Sequence, residues 1–228
     1  MVYQLCKYSD KRQFNISVVS IDDTDYFFSK LKKLQIKVSK LGLKKNPITF
    51  LNGILSLNKF IRKYKIQIIH AHLFHAMVMA CIMKALNPKI KILWTSHSSR
   101  MISIFRSIIA YFSRFLRTRD VILQPHLQSW VNTPIVSVIP NGVELPFESK
   151  LLPKFDIFTF ISVGSLSNVK NHIFLIDLFS KINSFNFKIL IIGSGPEEKM
   201  LQDRINKFGL SERIKLLGQR DDVFALMT

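Results

Sequence analysis

Four short stretches hold the residues that could do chemistry, and each lies where an aliphatic run gives way to a turn. In "IIHAHLFH", His70 and His72 alternate along the run and His75 follows. Residues at i and i+2 of a strand face one side, so His70 and His72 point together near its C-terminal end. His-x-His can ligate zinc, but no Asp, Glu or Cys follows at ligand spacing, which leaves metal the minor reading. His97 closes a second run, "KILWTSH". Ser96–His97 lies outside any nucleophile elbow and has no acid partner in view, so a serine hydrolase is disfavoured.

"FISVGSLSNVKN" (160–171) runs from an aliphatic strand through Gly164 and Ser165 to a helix opened by Asn168 and Lys170. Such a turn can grip a phosphate, because free backbone N–H groups and an ammonium converge on an anion. A solvated Lys is the plainer reading of Lys170 taken alone. "KILIIGSGPEEKM" repeats the pattern with Gly193-x-Gly195-Pro. The third glycine of a dinucleotide fingerprint would fall at Glu198, which argues against a nicotinamide oxidoreductase. A structural turn explains Gly193 and Gly195 equally well.

These turns need strands to end at them. Strand-like runs occur at 13–22, 36–43, 66–72, 91–97, 120–124 and 135–144. Helical spacing separates them at 25–36, 50–65, 77–86 and 101–117. After a Pro-marked stretch the alternation restarts, with strands at 157–165, 187–195 and 213–219 and helices at 169–183 and 196–210. Continuous apolar strands alternating with helices predict parallel sheets covered on both faces. The chain thus reads as α/β: a Rossmann-like domain over 1–145, a linker over 146–157 and a second domain over 158–228, with a ligand cleft between the domains.

Composition narrows the setting. Hydrophobic residues make up 48% of 228, enough for packed cores. The best membrane candidate, "AMVMACIMKAL", is too short to span and carries Lys84. No apolar leader opens the chain, and Cys6 and Cys81 have no metal-like spacing, so a reducing cytoplasm fits. The net charge is +18, and it is unevenly placed. Residues 1–140 hold 22 Lys and Arg against 5 Asp and Glu, whereas 141–228 hold 11 against 10. The first part therefore suits an anionic partner, unless a lysine-rich genome accounts for it. Nucleic acid is disfavoured, because no known binding motif is present and aromatics are not interleaved with the basic residues.

In the helical stretch 100–119, Ser103, Arg106, Ser113, Arg114 and Arg117 fall on one side, and Ile104, Phe105, Ile108, Ile109, Phe112, Phe115 and Leu116 take the rest. Two readings stand. The helix lies on an anionic membrane, or it packs on the sheet with its arginines in water.

Taken in order, "IIHAHLFHA", "TSHS", "VSVIPNGVE", "VGSLSNVKN", "ILIIGSGPEEKML" and "IKLLGQRDDV" resemble glycosyltransferase family 4, of the GT-B fold. The resemblance runs from about residue 13 to the end. It implies two Rossmann-like parallel-sheet domains, with the acceptor on the first and a nucleotide sugar on the second. It implies transfer from a UDP- or GDP-sugar with retention of configuration, without a metal or other cofactor. His97 matches the family's histidine beside the donor sugar, and His70 and His72 lie on the acceptor side. In the family's G-R-x-x-x-x-K run, Lys170 matches the Lys that grips the diphosphate, while the Arg position is Ser165. Gly164, Gly193 and Gly195 belong to the same donor-side loops, and Gly218, Gln219 and Arg220 match the loop near the base.

The resemblance also implies a missing first strand and Gly-rich loop before Met1. It implies a glutamate pair beyond Thr228, so the second domain is expected to be only partly present and the chain inactive alone. The setting implied is bacterial surface polysaccharide, such as lipopolysaccharide or capsule, built on a lipid-linked or saccharide acceptor at the inner face of the cytoplasmic membrane. The alternative is a non-catalytic module that binds membrane or acceptor.

Overall fold

The computed structural model describes residues 1–23, 27–44, 46–97, 103–124, 136–142, 155–182 and 184–227. The chain divides into two compact units, Met1–Gly142 and Val143–Thr228. Most of the linker expected at 146–157 lies outside the described residues, as do Arg100 and the Val143–Glu144 end of the strand expected at 135–144.

The first unit opens with helix α1 (Val2–Tyr8). Strand β1 (Ser17–Ser20), helix α2 (Phe28–Lys33) and strand β2 (Lys37–Lys40) follow. β1 and β2 pair in parallel, and Cys6, Leu31 and Ile36 form a small core of their own. Helix α2 is shorter than the predicted 25–36, because the chain turns at Gln35 with φ of 59°. Helix α3 (Pro47–Lys63) starts cleanly: Asn46 Oδ1 accepts from the Ile48 N–H at 2.8 Å, and Pro47 sits where no N–H is needed.

Strand β3 (Ile68–His72), helix α4 (Phe74–Leu86), strand β4 (Lys91–Ser96), helix α5 (Ile104–Phe112), strand β5 (Arg119–Ile122) and strand β6 (Val136–Val138) complete the unit. The four strands form a second parallel sheet in the order β3-β4-β5-β6. Helix α4 is apolar nearly all round and buries Met77, Ala80 and Cys81 against Ile92 and Trp94 of β4. Both cysteines are buried and unbridged, and burial pushes their thiols up.

A 3-10 turn, Ser113–Leu116, extends α5. Here the reading of solvated arginines is corrected. Arg117 is buried, with Nε 2.7 Å and Nη2 2.9 Å from the two carboxylate oxygens of buried Asp120. Its Nη1 donates to the Ala110 carbonyl at 2.8 Å, and its guanidinium stacks over Trp94. A carboxylate that takes both forks of the guanidinium satisfies the charge in the interior, where water would otherwise be needed.

The second unit contains strand β7 (Thr159–Val163), helix α6 (His172–Phe179), strand β8 (Lys188–Ile192), helix α7 (Glu198–Lys207), strand β9 (Ile214–Leu216) and helix α8 (Val223–Met227). The strands make a parallel sheet in the order β7-β8-β9. Its core joins Ile189 and Ile191 of β8 to Ile176 and Phe179 of α6 and Leu201 and Ile205 of α7. Asp177 and Arg204 tie these two helices at 2.8 Å. Among the described residues, no helix is long and apolar enough to cross a membrane.

Candidate functional site

In the first unit the structure gathers three predicted histidines. β3 pairs with β4 so that His70 stands opposite Leu93 and His72 opposite Thr95. The His70 and His72 rings lie on one side, 4.3 Å apart between centroids. His97, just past β4, comes within hydrogen-bond reach: His72 Nδ1 lies 3.1 Å from His97 Nε2, with the rings stacked. His70 Nε2 lies 2.7 Å from the hydroxyl of buried Thr95. His75 stands on α4 and packs its ring against Phe74 instead.

Burial and mutual repulsion keep these rings neutral. His72 is pushed down to about 4, by desolvation first and then by His70 and His97. His70 and His97 are also lowered, again chiefly by desolvation. By surface area His70 is exposed, so of the three rings it is the most open to water. At neutral pH the cluster is thus a set of uncharged donors and acceptors, suited to sugar hydroxyls rather than to an anion. No cluster of His, Cys, Asp and Glu among the described residues has the makings of a metal site. Leu73, which follows His72, adopts φ 70° and ψ 166°, a region that non-glycine residues rarely occupy. That strain at the β3–α4 turn carried no sequence signal.

In the second unit, Gly164, Gly193 and Gly218 meet at the C-terminal ends of β7, β8 and β9. The Gly164 N–H donates to the Ile192 carbonyl at 2.9 Å, and the Gly193 N–H to the Gly218 carbonyl at 2.8 Å. The two glycine loops touch directly. A Cβ on Gly193 would lie 1.9 Å from the Gly164 carbonyl oxygen, and one on Gly195 would lie 2.3 Å from the Leu166 carbonyl oxygen. These glycines therefore serve first to let two backbones meet. Leu166 N–H donates to Ser194 O and Glu197 N–H to Leu166 O, so these donors are engaged within the loop pair.

Lys170 is not in the first turn of an α-helix, where its spacing after Gly164 predicts it. Asn168–Lys170 form a 3-10 turn, and Asn171 then takes a left-handed conformation, φ 51°, before α6 begins at His172. Asn tolerates that conformation better than most residues, which is why the helix breaks there. The break lays the Lys170 stem over Gly164: its Cγ, Cδ and Cε are 3.5–3.7 Å from where a Gly164 Cβ would stand. Lys170 is exposed, with no carboxylate partner among the described residues. Ser165 Oγ sits 3.1 Å from Ser167 Oγ in the same turn. The start of α7 is a poorer anion site, since Glu197 and Glu198 already place negative charge there. Gln219 is exposed, and Arg220 grips Asp222 through Nε at 2.8 Å, with Nη2 on its other oxygen. His172, which no motif singles out, is buried at the start of α6 with Nδ1 3.4 Å from Ser162 Oγ.

Two units, each built on parallel α/β sheet, give the class: an α/β protein of the GT-B fold. Residues 1–146 match the family model described as Glycosyltransferase Family 4, and residues 147–228 match Glycosyl transferases group 1. The chain belongs to glycosyltransferase family 4. It is 26% identical to an uncharacterized glycosyltransferase of Methanocaldococcus jannaschii, aligned over 79% of this chain and 52% of that protein. It is 24% identical to a subunit of the phosphatidylinositol N-acetylglucosaminyltransferase of Arabidopsis thaliana, over 69% of this chain and 39% of that one. The chain thus spans about half, or less, of the curated relatives it matches. The solved structure of Anabaena Alr3699/HepE in complex with UDP and glucose superposes with a TM-score of 0.77 at 18% identity, covering 99% of this chain and 66% of that one.

Proposed function

We propose that this chain is the part of a retaining glycosyltransferase that holds the diphosphate of a UDP- or GDP-sugar and presents neutral histidines to sugar hydroxyls. The observation that carries the reading is the Lys170 side chain lying along Gly164, with its ammonium unpaired among the described residues, beside Ser165 and Ser167. When the sugar leaves, the bond from its anomeric carbon to the diphosphate oxygen breaks and negative charge grows on that oxygen. An ammonium at that position stabilises this charge. Ser165 adds a hydrogen-bond donor but no second charge. Gln219 and Arg220, in the loop after β9, are assigned to the base.

UDP in the Anabaena neighbour supports a uridine nucleotide. The Arabidopsis relative, named for phosphatidylinositol, supports a lipid-linked acceptor, as does the basic first unit. Assembly of bacterial surface polysaccharide at the inner face of the membrane is the setting we assign. Calorimetric titration of the full chain with UDP, GDP and UMP tests the donor site. Diphosphates are expected to bind more tightly than UMP, and Lys170→Ala to weaken UDP about 10- to 100-fold, the worth of one charged hydrogen bond. Equal affinity for UDP in parent and variant would sink the assignment of Lys170.

A further inference from the structure

Helix α5 and its 3-10 extension are folded inside out. Ser103, Arg106, Ser107, Ala110, Ser113 and Arg117 recur at helical spacing, and this polar, small-residue stripe is the side turned inward. Arg106 lies over the Phe74 ring, Ser113 Oγ contacts Met77 Sδ, and Ala110 packs into the core with Trp94. The apolar side points out: Ile104, Phe105, Phe112 and Phe115 are between 68% and 82% exposed, and Ile108 and Tyr111 continue the face between them. Placing the apolar stripe in water is the reverse of what packing on a sheet selects.

The charge of the first unit points to what covers this face. From Tyr26 to Arg119 the sequence contains no Asp or Glu but nineteen Lys and Arg. Asp120, the next carboxylate, is buried against Arg117. A second copy of the chain would bring like charge against like charge. An anionic bilayer supplies both an apolar interior and a negative rim. Arg114 suits such a boundary, since its guanidinium carbon lies 3.6 Å from the Tyr111 ring centre and 4.5 Å from that of Phe115. Its Nη1 is buried without a hydrogen-bond partner among the described residues, so the guanidinium lies along the aromatic rings.

We propose that the outward face of α5 and its 3-10 extension is a docking surface that inserts into the headgroup region of an anionic lipid bilayer. This deepens the membrane setting assigned above and rests on that part of the reading; the donor site is separate, since UDP binding can fail while docking holds, and the reverse.

The test is sedimentation of the full chain with vesicles of phosphatidylcholine, with and without phosphatidylglycerol. Binding is expected to the anionic vesicles only. The triple variant Phe105→Ser/Phe112→Ser/Phe115→Ser is expected to bind them about tenfold more weakly, or worse, with an unchanged melting curve. Should that variant misfold, Phe112→Trp serves instead, and the emission of the introduced indole is expected to shift to the blue on anionic vesicles. The proposal is overturned if the chain binds no vesicles or binds neutral ones equally, if the folded triple variant binds like the parent, or if the introduced indole's emission stays unshifted. It is also overturned if, without lipid, the parent self-associates through this face and the triple variant does not.

Discussion

His72 shows how packing resets the chemistry of a single residue. In the unfolded chain its imidazole titrates near the ordinary 6.5, whereas in the folded protein it resists protonation down to about 4. Between those values the unfolded state binds more protons, so this contribution to stability is complete above about 6.5 and is lost as the pH falls toward 4. Urea unfolding at neutral pH and at pH near 4.5 should show a clear loss of stability, and His72→Gln should flatten it; an unchanged pH slope would refute the arrangement. The spacing of His70 and His72 was enough to place them side by side. The approach of His97 was not, because it depends on the β3–β4 register. Arg117 was misplaced for a related reason. Helical spacing groups it with Arg106 and Arg114, but only the β5 start brings Asp120 to neutralise it in the interior.

Elements were legible where pattern and punctuation agree. α3 shows helical spacing over the stretch expected at 50–65, although its Asn46–Pro47 start was not read, and α4 and β8 are apolar but for His75, Lys84 and Lys188. Their ends were harder to read. The helix expected from residue 169 breaks at Asn171, and the one expected over 101–117 becomes a nine-residue helix and a 3-10 turn. The glycine loops belong to this scale, because their meaning lies in contact between elements. Gly193→Ala should destabilise the second unit by about 2–4 kcal/mol, combining an overpacked contact with an unfavourable φ of 147°. Gly209→Ala, with φ 65° and open space around it, should cost only about 1–2 kcal/mol. Denaturant melts of the two variants compare them directly, and similar losses would show that the Gly193–Gly164 contact does not constrain the loop.

At the scale of the whole molecule, the first unit has two parallel sheets and the second has one, and each unit has its own core. Ligand effects should therefore be local. Added UDP is expected to slow amide hydrogen exchange around residues 160–171 and 188–197 and to leave residues 1–142 unchanged. Protection confined to the first unit would move the donor site there. The charge follows the same division, with its excess in the first unit, where the outward face of α5 also lies.

The sequence by itself determined the α/β alternation, the parallel strands, the family and the lopsided charge. All of these follow from local periodicity, turn chemistry and composition, which do not depend on which strand lies beside which. Only the tertiary structure decided that the three histidines share one environment, that Gly193 and Gly195 are where two backbones meet, and that α5 turns its apolar face outward. Each of these depends on contacts between residues far apart in the chain. A hydrophobic stripe says that something covers it; which side of a helix the rest of the chain covers is settled when Arg117, Asp120 and Trp94 come together.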